Sequence, residues 1–350
     1  MSLQRPPPSS LAGSLSRRAF LGGLAALGIA CDPPARPAPD ASAAQAKPKP
    51  PVGSAPTIVA AASASAVPEA RGVVEAVETK VVHFERSEGG PQQAVIVIPA
   101  WRGPDERFPL LVALGGMGET KRGRNAASWA WMKDYWLDRA FRRLRSPPLT
   151  AEDFEGFVTD ERLAELNASL KQRPFRGLCV ACPATPDLLN DPEVDAGEVG
   201  SLDNAVTFAR FVAKNLLPRV RAEAPVIPEP GATGIDGISL GGRLAVLVAL
   251  ARKHDFAAVG SMQGAFEPDE VHEVAARLVA RKVRFKLRLL TSEKDPFRPA
   301  LADLDKSLTR KHFDHGHLVL PGPHDYPFNR GPAALEMLLW HDRVLRGEEG

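Results

Sequence analysis

Cysteine is scarce in this chain, and neither sign of charge is in large excess. Only three of the 350 residues are cysteine, which is too few for a fold held together by disulfides. The 44 lysines and arginines nearly balance the 42 aspartates and glutamates, so the formal net charge is +2. A strongly basic face is the usual sign of a nucleic-acid-binding protein, and this balance gives no indication of one. The chain length suits one domain of roughly 250 to 300 residues with extensions.

The chain also lacks a hydrophobic run long enough to cross a bilayer. Its apolar leader segment, AFLGGLAALGIA at Ala19–Ala30, is shorter than the roughly 20 residues that a membrane-spanning helix needs. The preceding Ser16–Leu21 resembles a twin-arginine export signal, and the segment ends at Cys31, as in a lipoprotein cleavage site. We predict an export signal over residues 1–31 with lipidation of Cys31. A plain cleaved signal or an uncleaved anchor helix are the alternatives.

Residues 32–71 are rich in proline, alanine and serine. This composition offers too little apolar surface to bury a core, so the segment is predicted to be a disordered tether. An N-terminal lipid followed by a tether would hold the folded part, residues 72–350, close to a bacterial membrane. The expected location is therefore the periplasm or cell envelope.

Strand-like and helix-like patterns alternate along the folded part. This alternation predicts an α/β fold with a mostly parallel sheet and helices on both faces. Short apolar or β-branched runs indicate strands at Gln93–Pro99, Pro109–Leu114, Leu178–Ala181, Ala232–Ile238, Phe256–Met262, Val283–Leu290 and His317–Leu320. Helical spacing indicates helices at Leu202–Val220, Leu240–Lys253, Val271–Arg281 and Ala333–Leu345.

The alternation is interrupted between about residues 127 and 177 by a block without strand patterns. Thr150 and Thr159 are predicted to be the N-caps of two short helices there. The block is interpreted as a helical insertion that either covers a site or only packs. Four of its aromatic side chains have the same two interpretations, lining an acyl pocket or filling the core. They are Trp129, Trp131, Tyr135 and Trp136.

One serine is surrounded by glycines, in GIDGISLGGRLAVLVAL at Gly234–Leu250. A predicted strand precedes Ser239 and a buried helix follows it, which is the setting of a nucleophile elbow, Gly-x-Ser-x-Gly. Gly237 and Gly241 remove the Cβ atoms that would clash in so sharp a turn. The turn would expose the hydroxyl beyond the strand, with the Leu240 N–H and the helix N-terminus facing it. The alternative is an ordinary turn serine.

A serine nucleophile needs a base, and the base needs an acid that orients it. In a fold of this kind, an acid and then a histidine follow the serine along the chain. Asp295 comes directly after a predicted strand, and His324 lies in a loop of glycine and proline before the final helix. Glu293 is an alternative acid. Asp325 is interpreted as a residue that stabilises the loop.

Six segments, taken in order, resemble the esterase D-like branch of the α/β-hydrolases, which includes feruloyl and enterochelin-type esterases and mycolyltransferases. The resemblance covers about Gln93–Leu345 apart from the insertion. The segments are FPLLVALGGMG, FVAKNLLPRVRAE, GISLGGRLAV, AVGSMQGAF, LLTSEKDPF and LPGPHDYPFNRGPAALEMLLW.

The resemblance implies an α/β-hydrolase fold and assigns a role to each matching residue. Ser239 would be the nucleophile, His324 the general base and Asp295 the acid that orients it. The N–H groups of Met117 and Leu240 would form the oxyanion hole, and no cofactor or metal is needed. The family usually has His-Gly or Asp-Gly where this chain has Gly115-Gly116. The backbone donor survives this change, but the support of the larger side chain is lost.

Two further patterns favour structural interpretations. Cys179 and Cys182 form C-x-x-C on a predicted buried strand, so their side chains should point to opposite faces and pack in the core. His312, His315 and His317 could hold a metal, but no second ligand cluster accompanies them, and a solvated loop is favoured. The chain also has neither a phosphate-binding loop nor a dinucleotide fingerprint.

The sequence therefore predicts an exported serine hydrolase that cleaves a carboxylic ester through an acyl-enzyme. Its expected partners are a small-molecule or polymer-linked ester and, through the lipid, the membrane, and no nucleic acid is expected. Two alternatives remain open. One is an acyltransferase, in which an alcohol replaces water. The other is a non-catalytic envelope protein that keeps the fold to bind a ligand.

Overall fold

A computed structural model of the chain describes residues 75–87, 90–186 and 202–348. The predicted export signal, the lipidation site at Cys31 and the tether lie outside these residues. Within the described part of the chain, no helix is both long and apolar enough to cross a membrane.

The described residues form one eight-stranded sheet with the strand order β1-β2-β4-β3-β5-β6-β7-β8. The six strands from β3 to β8 run parallel, while β1 and β2 are antiparallel to their neighbours. The predicted α/β class with a mostly parallel sheet is thus confirmed. The strands are β1 (Val77–Phe84), β2 (Gln92–Pro99), β3 (Leu110–Leu114), β4 (Cys179–Pro183), β5 (Thr233–Gly237), β6 (Ala258–Met262), β7 (Lys286–Lys294) and β8 (His315–Pro323).

Helices cover the sheet on both faces. The α-helices are α1 (Met117–Lys121), α2 (Arg124–Lys133), α3 (Leu137–Arg145), α4 (Asp160–Gln172), α5 (Leu202–Phe211), α6 (Leu217–Glu223), α7 (Leu240–Ala251), α8 (Val271–Ala280), α9 (Arg298–Arg310), α10 (Tyr326–Phe328) and α11 (Ala334–Val344). Short 3₁₀ helices occur at Ala151–Phe154 and Pro230–Ala232, and π-helical turns occur at Val212–Leu216 and Asn329–Ala333.

Two separate apolar cores lie on the two faces of the sheet. In β3, Leu110 and Val112 belong to one core, and Leu111 belongs to the other. This alternation follows from the two-residue period of a strand, and the burial of both faces explains why the strand is a continuous apolar run.

The two cysteines of β4 fall into these opposite cores, as their spacing predicts. Both are fully buried and neither forms a disulfide. Burial raises the pKa of the Cys179 thiol to about 12 and also raises that of Cys182. Thiols that stay protonated are poor nucleophiles, so the two cysteines serve packing.

The block between β3 and β4 is helical. Both predicted N-caps are present: the Thr159 hydroxyl accepts the Arg162 N–H at 3.2 Å, and Thr150 begins a capping box with Asp153. Each cap provides an acceptor for backbone N–H groups that have none within the helix.

Several elements had no counterpart in the predictions, and the two longest of them are strand β1 and helix α9. Among the described residues, strand β1 pairs with β2 alone, and it buries Val77, Val82 and Phe84 while its other five residues are exposed. This burial does not follow strict alternation, which is the pattern that identifies a half-buried strand. Helix α9 follows Asp295 directly and packs through Leu301, Leu304 and neighbouring apolar residues.

A buried charged cluster joins the sheet to α11. Its carboxylate, Asp236, belongs to β5, the strand that leads to Ser239. Asp236 Oδ2 lies 3.1 Å from His341 Nε2 and 3.7 Å from Arg288 Nη2. Burial lowers the pKa of His341, the nearby Arg288 lowers it further, and Asp236 partly opposes both. The folded state therefore favours the neutral imidazole.

The stability of the protein is expected to fall as the pH drops below the ordinary histidine value of 6.5. There the unfolded chain binds a proton that folded His341 does not, so this one group contributes a slope of up to about 1.4 kcal/mol per pH unit. We expect the free energy of unfolding, measured in urea between pH 5 and 8, to depend less steeply on pH for His341→Gln than for the wild type. The exposed His254→Gln is the control, and a His341→Gln slope equal to that of the wild type would contradict the prediction.

Candidate active site

Ser239 lies in a sharp turn between β5 and α7. Its backbone has φ 58° and ψ −119°, a sparsely populated conformation for a residue with a side chain. Backbone hydrogen bonds hold it there: its N–H donates to Met262 O at 2.9 Å, and its carbonyl accepts the Ala265 N–H at 3.0 Å. The strained turn predicted from the sequence is thus fixed by the neighbouring strand and its loop.

The glycines around Ser239 are required because backbone atoms approach each other closely. A Cβ on Gly237 would lie 2.5 Å from Gly241 O, and a Cβ on Gly241 would lie 2.5 Å from Leu114 O. Neither clash can be relieved by a side-chain rotation, because the opposing atoms are main-chain atoms. The glycines therefore allow strand, turn and helix to pack at this distance.

Asp295 and His324 are brought together at the carboxyl ends of β7 and β8. Asp295 follows β7, and its Oδ1 lies 2.9 Å from His324 Nδ1. The same carboxyl group accepts the Thr291 hydroxyl at 2.6 Å and the Phe297 N–H at 3.0 Å. Because a carboxylate only accepts, this bond requires the proton on Nδ1, and in a neutral imidazole Nε2 then keeps its lone pair.

The two alternative acids make different contacts. Glu293 is exposed at the end of β7, and it contacts Arg298 through its main-chain carbonyl. Asp325 caps α10, where its carboxylate accepts the Phe328 N–H at 3.0 Å. Among the described residues, Asp295 is the acid in contact with His324.

Ser239 and His324 line the same pocket, which has a volume of about 200 Å³. Within the described part of the chain, the Ser239 hydroxyl has no hydrogen-bond partner. In unliganded hydrolases the serine–histidine bond is often long, and it shortens when substrate binds. The pocket thus holds a serine at a strained turn opposite a histidine oriented by a carboxylate.

The two predicted oxyanion donors are each the first residue of a helix. Leu240 begins α7 and Met117 begins α1, so neither N–H has an acceptor inside its own helix. The positive end of each helix dipole adds to the attraction for a negative charge. Met117 is also one of the residues that line the pocket.

Hydroxyl groups support the Gly115-Gly116 segment in place of a larger side chain. The Gly115 N–H donates to Thr185 Oγ1 at 2.9 Å, and the Gly116 N–H donates to the Tyr135 hydroxyl at 3.2 Å. A Cβ on Gly115 would lie 3.3 Å from Ala130 Cβ, because helix α2 packs directly against the segment. No sequence pattern indicated these two hydroxyl contacts.

The histidine loop is held by a glutamine that sequence analysis also missed. Gln263 follows β6, and its Nε2 donates to Pro323 O at 2.9 Å and to Ser292 Oγ at 2.6 Å. Ser292 Oγ in turn donates to Pro323 O at 3.2 Å. Both side chains thus fix the carbonyl directly before His324. Gln263 lies in AVGSMQGAF, one of the six segments that resemble the esterases, but no role was predicted for it.

The remaining candidate residues lie elsewhere or have structural contacts. His315 and His317 share a strand face, as predicted, and both contact Asp305. In the described ranges, no group of three or more potential ligands has the geometry to hold a metal ion. Of the four tryptophan and tyrosine residues in the helical block, Trp131 and Tyr135 are buried in the core. Tyr135 also lines the pocket of Ser239, so both interpretations apply to it.

Comparisons with known proteins bear on the family and the fold of the chain. The family model described as "Putative esterase" matches residues 192–313, a segment that contains Ser239 and Asp295. This match confirms the resemblance seen in the sequence. No curated protein sequence matches the chain significantly.

Solved structures with the same architecture include several hydrolases. A ferulic acid esterase is 13% identical, covers 77% of this chain and 98% of its own, and gives a TM-score of 0.55. The S-formylglutathione hydrolase of Staphylococcus aureus is 14% identical and covers 76% and 96%, with a TM-score of 0.53. Fluorophosphonate-binding serine hydrolase F of Staphylococcus aureus is 14% identical and covers 76% and 98%, with a TM-score of 0.52. The chain therefore has the α/β-hydrolase fold.

Proposed function

We propose that this chain is a serine hydrolase that cleaves a carboxylic ester through an acyl-enzyme on Ser239. The observation that carries the proposal is the contact between His324 Nδ1 and Asp295 Oδ1 at the pocket that Ser239 also lines. The match to an esterase family model supports the same reaction class.

The reaction has two halves, formation and hydrolysis of the acyl-enzyme, and His324 acts first as base and then as acid in each. Ser239 Oγ attacks the ester carbonyl while His324 Nε2 takes its proton, and the Asp295 carboxylate stabilises the resulting imidazolium. The Met117 and Leu240 N–H groups bind the oxyanion. His324 then passes the proton to the departing alcohol, which leaves an acyl-enzyme. In the second half, water attacks the acyl group while His324 takes its proton, and His324 then passes this proton to Ser239 Oγ as the acyl–oxygen bond breaks, which releases the carboxylic acid and the free serine.

The size of the pocket favours a small acyl group. Its volume of about 200 Å³ is below the roughly 300–1,000 Å³ of sites for drug-sized ligands. Apolar side chains at its wall, including Met117, Ile238 and Phe297, suit the hydrocarbon part of the acyl group. We therefore propose short aliphatic or single-ring esters as substrates.

The proposal is tested with the purified full chain and a fluorophosphonate probe. One probe per chain should attach, and mass spectrometry of the digested protein should place the phosphonyl group on Ser239. With p-nitrophenyl esters, kcat/KM should be at least about tenfold higher for acetyl or butyryl than for lauroyl groups, because the pocket cannot hold the longer chain.

The same assay separates the alternatives. A folded chain that neither reacts with the probe nor hydrolyses any ester would contradict the hydrolase and favour a binding protein. Faster release of the acyl group to an added alcohol than to water would identify an acyltransferase.

We also propose that the protein is exported and anchored through a lipid on Cys31. The support is the Arg17-Arg18 pair, the apolar segment after it and the cysteine at its end. Cys31→Ser should move the protein from the membrane to the soluble fraction of the envelope, and Arg17→Lys with Arg18→Lys should retain it in the cytoplasm. A wild-type chain found in the cytoplasm would contradict export.

A further inference from the structure

A buried carboxylate, Glu119, lies at the wall of the catalytic pocket without a role in the proposed reaction. It is the third residue of α1, two residues after the oxyanion donor Met117, and it is only 2% exposed. It accepts hydrogen bonds from the hydroxyls of Tyr135 and Tyr326, the latter at 2.5 Å, and lies 3.4 Å from Arg122 Nη2. A buried carboxylate is costly unless it is paired in this way.

The chain contains only two tyrosines, and both donate to this one carboxylate. Tyr135 comes from the helical block, and Tyr326 lies two residues after His324. Glu119 itself follows the glycine segment. The carboxylate therefore joins the oxyanion segment, the helical block and the histidine loop at the pocket.

Tyr135 links Glu119 to the backbone beside Met117. Its hydroxyl accepts the Gly116 N–H at 3.2 Å while it donates to Glu119 Oε2. An acceptor that donates to a carboxylate is polarised, so each bond of the chain strengthens the other. Burial and the adjacent Glu119 raise the pKa of both tyrosine hydroxyls, which therefore remain donors.

The Met117 N–H is fixed from both sides of Gly116. The Gly116 carbonyl, which shares a planar peptide unit with that N–H, accepts the Thr120 hydroxyl at 3.0 Å. The Gly116 N–H is held by Tyr135. With both groups of Gly116 bound, its φ and ψ have little freedom, and the direction of the Met117 N–H is set.

We propose that Tyr135 and Glu119 are positioning residues that hold the Met117 N–H in the direction needed to bind the oxyanion. They take over the support that a larger side chain at position 115 would give. The inference rests on the proposed ester hydrolysis at Ser239. It assigns to the helical block a part in the catalytic geometry, beyond packing.

The test uses Tyr135→Phe in the full chain, which keeps the buried ring and removes only the hydroxyl. Loss of an oxyanion donor costs about 100- to 1,000-fold in kcat, and a misdirected donor should cost about 10- to 100-fold. We expect kcat/KM to fall by that factor with KM nearly unchanged. The affinity for a trifluoromethyl ketone, whose adduct with Ser239 carries the same oxyanion, should fall by the same factor.

Two further variants separate positioning from stability. Glu119→Gln keeps the size of the side chain and replaces one acceptor oxygen with a donor. It should therefore lower kcat/KM and the affinity for the trifluoromethyl ketone by similar factors. Ser307→Ala removes a buried hydroxyl that contacts His272, away from the pocket. It should lower the melting temperature without changing kcat/KM.

Each result decides the inference. A folded Tyr135→Phe with the wild-type kcat/KM, or one whose kcat/KM falls while the ketone affinity does not, would overturn it. If Tyr135→Phe does not fold, Glu119→Gln decides by the same two quantities. A wild-type chain without esterase activity would remove the proposed function and this inference together, whereas an active wild type with unaffected variants would remove the inference alone.

Discussion

Replacing Ser239 with alanine is expected to lower kcat for ester hydrolysis by about 10⁴- to 10⁶-fold and to abolish reaction with a fluorophosphonate. The alanine lacks the hydroxyl oxygen on which the proposed acyl-enzyme would form. The residual rate should come from the oxyanion donors and substrate binding alone. The backbone should tolerate the change, since alanine keeps the Cβ and the turn is fixed by the bonds to Met262 O and Ala265 N.

Burst kinetics with p-nitrophenyl acetate gives the clearest measurement. The wild type should release up to one equivalent of p-nitrophenol before the steady state, and Ser239→Ala should release none. Ser146→Ala, which changes an exposed serine at the end of α3, is the matched control and should behave as the wild type. A variant at Ser239 that retains the burst would place the nucleophile elsewhere and contradict the assignment.

Asp295→Asn is expected to lower kcat by about 10³- to 10⁴-fold while the protein stays folded. The asparagine keeps the shape of the side chain but can turn its amide towards His324. His324 Nδ1 would then become the acceptor, and the proton would move to Nε2, where it blocks removal of the serine proton. KM should change little, because Asp295 lies behind the histidine.

Glu293→Gln is the matched control, since the sequence offers Glu293 as the alternative acid but the structure shows that it is exposed. It should keep kcat within about twofold of the wild type, as surface substitutions usually have small effects. The two variants should also differ in their reaction with the fluorophosphonate, which needs the same deprotonation of Ser239. Equal losses in both variants, or a loss in Glu293→Gln alone, would show that the acid is misassigned.

Much of the fold could be predicted because buried parallel strands and amphipathic helices leave local patterns. The runs at β3 and β4 are apolar at every position because both faces are covered. Strand β1 left no such pattern, because its burial is irregular and it has one neighbour. Strands β7 and β8 end later than the predicted runs. Their last residues pair with each other although they are not uniformly apolar.

The candidate triad was predictable for a related reason. Ser239, Asp295 and His324 each follow a strand, and parallel strands bring their carboxyl ends to one edge of the sheet. The contact between Asp295 and His324 is the expected result of this placement. The support of the oxyanion segment was not predictable, because Thr185 is 70 residues from Gly115 along the chain and no local pattern relates them.

The order of residues is sufficient to show where the chain must turn sharply and which residues follow each strand. A steric requirement at Gly237 and Gly241 acts on the residue itself, so it is visible in the order of amino acids. The groups that hold the site in place could be identified only from the folded structure. Glu119 and Tyr326 are 207 residues apart, and their hydrogen bond exists because the sheet brings the loops after β3 and β8 to one pocket. Such a contact constrains a pair of distant positions, and one sequence alone shows no trace of it.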